Sequence, residues 1–400
     1  MPAYDMIVVG GGISSLSMAH FCARDGRSVL LLERDARLGG CVHSHRFTPG
    51  DHAFWAELGA HTCFNSYATL LDIMDDCGLL ARAQGREKLP YKMCVGGALK
   101  SIPSQLHLLE LLPRLPRLFR ATKTGKTVAE YYGSLVGPRN YREVFSPAFS
   151  AVICQPADNV PADMLFRKRV RRKDVQRSFT FAGGLQTITD TMAQHPGIDC
   201  RTGTEVSGIA YDGDAFCLTT TDGQSFASGA LTIATSAPAA ARLLSAFPEV
   251  AVPLSRIGEA AIETLGIAVD RKHIKLPPVA GIIARDDCFY SAVSRDVFPH
   301  PDLRGFTFHF RPEGLDDDEK LRRACAILGI TPQAVAFTAT KTNRLPAPRA
   351  GHERLVQAID RALAGRPLLL TGNYFSGVSL EDCVSRSQSE YARLQDTPKQ

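Results

Sequence analysis

"MIVVGGGISSLSMAHFCARDGRSVLLLE", residues 6–33, is the stretch that decides the fold. Tyr4–Val9 predicts a short, β-branched strand of the buried parallel kind, ended by glycines. Ile13–Asp25 predicts a helix with Leu16, Ala19, His20 and Ala23 near one face, and Ser28–Glu33 predicts a second strand. Together they form a βαβ unit with a glycine turn between its first strand and its helix. Gly10 permits the bend, Gly11 and Gly12 bring backbone N–H groups close to a pyrophosphate, and Ile13 and Ser14 open the helix on which that anion rests. Ser15 occupies the third glycine position of the fingerprint, where a small residue governs helix-to-strand packing. Glu33 ends the second strand about 20 residues beyond the turn, where a carboxylate accepts hydrogen bonds from the ribose of an adenosine. A 2′-phosphate would be repelled there, which argues against NADP. Strand, turn, helix and acid in register make a nucleotide site, and this unit alone leaves NAD and FAD both open.

The next residues, "RDARLGGCVHSH", separate the two. A nicotinamide cofactor has no evident use for a second glycine pair, whereas a longer cofactor needs a second close backbone approach, which Gly39 and Gly40 supply. The run Arg37-Leu38-Gly39-Gly40, following Glu33 and Arg34, resembles the fingerprint of the FAD-binding amine oxidase and protoporphyrinogen oxidase superfamily. Three later stretches are similar to that superfamily as well. "WAELGAHTCFNSY" (55–67), with Glu57, Gly59, Ala60 and His61 at its core, resembles the segment that passes the flavin ring. "SFTFAGGLQTITDTM" (178–192) resembles the glycine-led helix that returns the chain to the cofactor domain. "LLLTGNYFSGVSLEDCVSRS" (368–387) resembles the C-terminal signature of protoporphyrinogen oxidase-like proteins and is the most specific of the three. In that stretch Gly372-Asn373 turn a buried strand, and Val378-Ser379 lead into a helix that Ser379 is placed to cap. The resemblance implies that this helix N-terminus faces the pyrimidine end of the ring, where its partial positive charge would favour the anionic reduced form. It further implies that Val206 lies on the adenine side and that Ala234-Thr235, in "TIATSAP", close over the cofactor.

The fold expected is α/β: a Rossmann-like FAD-binding domain with a central parallel sheet and a β-meander, plus an inserted α+β substrate domain. Blocks 1–85, 183–250 and 345–400 form the former, and 86–182 and 251–344 the latter. Residues 205–238 read as alternating strands with Asp-Gly turns, a meander laid on the sheet. The first insertion opens with a hairpin, "YKMCVGGALKSIP", and becomes helical. The second holds strands such as "ETLGIAVD" and "GFTFHF" and a helix over 316–328.

Composition bounds the partners. A net charge of +5 on 400 residues gives no general argument for nucleic acid. Eleven cysteines without a C-x-x-C pair read as free thiols in a reducing cytoplasm. No run reaches the roughly 18 apolar residues of a spanning helix. Two segments carry local character. "RKRVRRK" (167–173) reads as a solvated helix end, with a carboxylate-bearing substrate or anionic lipid as the alternative occupant. "LLELLPRLPRLFRATK" (108–123) reads as helix packing, with peripheral membrane contact as the alternative.

No metal or serine-nucleophile motif is present, and the S-G-G-C segment that carries covalent flavin in monoamine oxidases is missing, so the cofactor expected is non-covalent FAD and no metal. His61 is the one catalytic candidate, either a residue that positions substrate near the flavin N5, as the similar "GAH" of UDP-galactopyranose mutases suggests, or a packed histidine behind the site. The function expected is FAD-dependent hydride abstraction from a C–N or C–C bond of a small molecule. The alternatives are a non-redox flavoenzyme resembling UDP-galactopyranose mutase, and a non-catalytic binding protein on the same fold, against which the intact glycines argue. The chain is shorter than the resemblance implies for a true protoporphyrinogen oxidase, and the missing length falls in the substrate domain.

Overall fold

The computed structural model describes residues 4–48, 54–312 and 314–396; the ends of the expected terminal blocks, 1–3 and 397–400, lie outside these. Alternation along the opening strand explains the first layer. In Tyr4–Val9, Met6 and Val8 enter one apolar core while Ile7 and Val9 enter a second, and in Val29–Leu32 the same split puts Val29 and Leu31 on one side, Leu30 and Leu32 on the other. A sheet covered on both faces needs apolar residues at every position, which is why these strands read as continuous runs. Helices Ile13–Arg24, Ala68–Asp76, Gln186–Ala193 and Leu380–Asp396 supply one cover; Ala237–Leu243, Pro248–Ser255 and His352–Leu363 supply residues to the other. The helix Ile13–Arg24 is buried from Ile13 to Ala23, not along one stripe, because the C-terminal helix packs along it as well as the sheet.

Strand order in this sheet is Ile198–Arg201, Val29–Leu32, Tyr4–Val9, Ser225–Ile233, with Leu368–Leu370 beyond, all parallel. The meander does not lie on this sheet but belongs to it. Strand Ser225–Ile233 pairs antiparallel with Phe216–Thr220 over its first half and parallel with Leu368–Leu370 over its last three residues.

Both inserted stretches build one further seven-stranded sheet. Its order is Val335–Pro346, Glu259–Asp270, Leu303–Phe310, Phe289–Ser294, Gly281–Ala284, Tyr91–Val95, Ala98–Ser101, and the pairing is antiparallel except between Gly281–Ala284 and Tyr91–Val95. One face packs on helix Asp317–Leu328, which begins with a capping box between Asp316 and Glu319. The basic run 167–173 is not helical. It is an irregular segment in which Arg169 donates to Asp382 Oδ1 at 2.6 Å and Arg172 pairs with Asp174 at 2.7 Å. In 108–123 a four-residue helix, Leu108–Leu111, passes into a 3-10 stretch, Leu112–Phe119, and Leu108, Leu109 and Leu112 are exposed.

Candidate cofactor site and active site

The glycine turn after the first strand is tied to its surroundings by backbone bonds. Gly10 N donates to Leu32 O at 2.8 Å, Ala234 N donates to Val9 O at 2.9 Å, and Gly39 N donates to Gly11 O at 2.7 Å. The two glycine loops thus form one surface, reinforced by a bridge between Gly12 and Gly39. The glycines have different duties. A Cβ on Gly10, at φ +110°, would stand 2.9 Å from Ala234 O, and one on Gly11 would stand 2.8 Å from Glu33 Oε2. A Cβ on Gly12 would meet no atom within 4 Å. Gly12 also precedes a 12-residue helix that has neither a side-chain cap nor an acid in its first turn. An open backbone face at an uncapped helix N-terminus is what a pyrophosphate requires.

Glu33 faces Gly11 and accepts from Asp35 N at 2.8 Å; burial holds its carboxyl above the ordinary range. Thr204 N donates to Glu33 O at 2.8 Å, which brings the start of the meander and Val206 beside the acid. Ser15 is fully buried beneath Gly10, and its hydroxyl has no partner among the described residues. Arg37 clamps the second loop, donating to Val42 O at 2.9 Å, Gly40 O at 2.7 Å and Gln186 Oε1 at 2.8 Å. Its guanidinium therefore shapes the loop from within. Arg34 is exposed and pairs with Asp35, and Thr235 is half-buried two residues beyond the end of the strand Ser225–Ile233.

From the second loop the chain reaches the next segment through Cys41, whose carbonyl accepts from Ala60 N at 2.9 Å. A Cβ on Gly59 would lie 2.0 Å from that same oxygen, so only glycine permits the approach. His61 follows. Burial first, then the charges of Arg86 and His309, push its pKa down to about 3, so the ring is neutral. The C-terminal signature closes the far side. Thr371 N donates to Ile233 O at 3.2 Å, and Ser387 Oγ donates to Ser14 O at 2.9 Å. Ser379 caps the helix as expected, accepting from Asp382 N at 3.2 Å, but that N-terminus already carries two acids. Asp382 is held by Ser379 and Arg169, and Glu381 accepts from Thr69 N and Leu70 N at 3.0 and 3.1 Å. The positive helix end is thus partly offset by the chain's own carboxylates. Val378 packs among the helices of the first insertion.

Three charged groups near the site are not evident from sequence. Lys341 Nζ donates to Gly40 O at 2.8 Å, and burial lowers its pKa to about 8. Arg86 donates to Thr62 Oγ1, next to His61. Arg295 lies over the rings of Phe54, Trp55 and Phe298 at 4.9, 4.4 and 5.2 Å. Each sits in an ordinary polar context in the sequence, and no spacing rule joins them. Among the described residues no group of three or more His, Cys, Asp or Glu is arranged for a metal, and no helix is long and apolar enough to cross a membrane.

Residues 16–386 match the family described as flavin containing amine oxidoreductase. The chain belongs to that family. A flavin is therefore its implied cofactor, and the open face at Gly12 beside Glu33, Gly39 and Gly40 fits one. Within the flavin amine oxidoreductases, the chain is 23% identical over 262 residues to a flavin-dependent L-tryptophan oxidase of Lentzea aerocolonigenes, covering 54% of each protein. It thus spans about half the length of that relative. The fold is similar to that of a putative protoporphyrinogen oxidase from Exiguobacterium sp. 255-15, with TM-score 0.80, 17% identity and 98% of both chains covered. It is also similar to a reduced UDP-galactopyranose mutase, with TM-score 0.75, 15% identity, and 100% and 97% of the two chains covered.

Proposed function

We propose that the protein is an oxidase or dehydrogenase that binds FAD non-covalently and takes a hydride from a C–N or C–C bond of a small molecule. The observation that carries this reading is the pairing of the two glycine loops: Gly39 N bonded to Gly11 O, and the open backbone face at Gly12. A cofactor longer than a dinucleotide's first half explains why a second loop is brought to the first.

In this reading Gly11, Gly12, Ile13 and Ser14 hold the pyrophosphate, Glu33 the adenosine ribose and Val206 the adenine side. Gly39, Gly40, Gly59, Ala60, His61, Ala234, Gly372 and Asn373 line the rest. A flavin held by these residues would supply the hydride acceptor and the route for electrons to oxygen or another acceptor. The chain's own residues orient and insulate. His61, neutral at working pH, offers one donor and one acceptor and no charge. Lys341 holds a cation against the carbonyl of Gly40 up to about pH 8. Trp55 and Phe298, stacked at 6.1 Å, give the adjoining cavity an aromatic wall.

The test is the visible spectrum of the purified protein, then anaerobic reduction by candidate amines and re-exposure to air. Flavin bands near about 370 and 450 nm that bleach with substrate and return in air are the expected result. A colourless protein that refuses added FAD would overturn the reading. A coloured protein that binds UDP and catalyses no net oxidation would replace it with the mutase reading.

A further inference from the structure

The strands that end the two large sheets are not built alike. On the nucleotide side they are Ile198–Arg201 and Leu368–Leu370, four and three residues long, and Val206–Tyr211, whose pairing is interrupted between Val206 and Gly208. In the second sheet one end strand is Ala98–Ser101, again four residues, and the other is Val335–Pro346, twelve residues. Short and bulged edges are how a sheet avoids pairing with another chain. Val335–Pro346 lacks both devices over most of its length. From Phe337, opposite Ala268, to Pro346, opposite Glu259, it runs without a shift of register, and no other backbone among the described residues pairs with its outer side.

Its side chains lack the remaining protections. Charges pointing off an edge and prolines within it also prevent pairing. The single charge between Val335 and Asn343 is Lys341, which is turned onto Gly40 O at 2.8 Å, and the proline stands at the last position of the strand. What the edge presents instead is threonine. Thr338, Thr340 and Thr342 alternate along one face and all three are exposed. Threonine is β-branched, suits a strand, and pairs with threonine across antiparallel neighbours.

The strip is also complementary to itself. When a second copy runs antiparallel with the two Thr340 residues opposite one another, Thr338 meets the partner's Thr342, Lys341 meets the partner's Ala339 and Arg344 meets the partner's Ala336. No like charges are opposed, and a single pairing about a two-fold axis closes the assembly. Joining this edge to the partner's Ala98–Ser101 would leave most of the twelve residues unpaired and would propagate as a fibre.

We infer that Val335–Pro346 is a dimer edge, at which two copies of this chain pair antiparallel about Thr340 into one continuous sheet. Lys341 lies on the face opposite the threonines, so the pairing leaves it bonded to its own Gly40. The inference does not depend on the reaction proposed above.

The full chain as purified, passed over a sizing column with light-scattering detection at rising concentration, should reach two chain masses by about 50 μM. Thr340→Lys sets two ammonium groups against each other at the axis and should give one chain mass with an unchanged circular dichroism spectrum. Thr340→Glu should do the same. An equal mixture of these two variants should return to two chain masses, because opposite charges then meet at the axis. Amide hydrogen exchange over 335–346 should slow tenfold or more as the wild-type chain dimerises, and should stay fast in Thr340→Lys at every concentration. One chain mass for the wild-type chain throughout, a dimer that survives Thr340→Lys, a mixture that stays monomeric, or exchange over 335–346 that ignores concentration would each overturn the assignment.

Discussion

Gly12 and Gly10 sit two positions apart in one turn and answer to opposite demands. Gly12 has ordinary extended dihedrals, φ −80° and ψ −178°, and a side chain there would project into open space. Gly12→Trp should therefore fold normally and lose its flavin, read as an unchanged circular dichroism melt with no absorbance near about 450 nm. A mutant purified with full flavin content would displace the site from this turn. Gly10→Ala should behave differently, because its φ of +110° strains any side chain and Ala234 O leaves no room. It should cost about 1–3 kcal/mol of stability, seen in denaturant melts of the apoprotein. Both glycines were legible in the sequence because turn, strand and acid are neighbours along the chain. Arg86, Thr180 and Arg295 were not, since they come from separate elements and meet only once both sheets are assembled.

The element that joins the two sheets at the site is the edge strand Val335–Pro346. Lys341 and Asn343 stand two residues apart and hence on one face, and both reach the cofactor-side segments. Lys341 donates to Gly40 O, and Asn343 Nδ2 donates to Leu58 O at 2.7 Å and Thr264 Oγ1 at 3.2 Å. Asn343→Ala should destabilise the protein by about 1–3 kcal/mol, because it strands a buried carbonyl. Lys341→Met should fold, and should abolish any break in the pH profile of flavin reduction near about 8, the value burial imposes on its amine. A break that survives the substitution would assign it elsewhere. The sequence "VAFTATKTNRLP" concealed this role, because its face toward solvent is polar and mostly exposed, so it lacks the apolar alternation that announced Glu259–Asp270 and Leu303–Phe310.

For the whole molecule the buried titratable groups set a stability profile. His43 and His61 are pushed down to about 3 and His309 to about 4, in each case chiefly by burial. The unfolded chain takes up protons on these rings below about 6.5 and the folded chain does not, so stability falls as the pH drops from there toward 4. Glu57 acts in the opposite sense. Its folded value of about 7 exceeds the unfolded one, so its contribution is complete below about 4.5 and lost as the pH rises to 7. Three rings outweigh one carboxyl, and the melting temperature should fall on acidification from about pH 6.5 to 4.5. Glu57→Gln isolates the opposing part. The stability difference should shift toward the variant by up to roughly 3 kcal/mol between pH 4.5 and 8, and a flat difference would deny Glu57 its raised value.

Strand Ser225–Ile233 carries one further consequence. Its last three residues wait for Leu368–Leu370, and the helix Leu380–Asp396 that seals the same face comes later still. During synthesis on the ribosome, the nucleotide half therefore stands with an unpaired edge and an uncovered apolar face while the whole second insertion is translated, an interval of about ten seconds. Contacts this distant along the chain fold slowly, so the nascent protein should lean on chaperones, and should acquire flavin only once the helix Leu380–Asp396 has emerged.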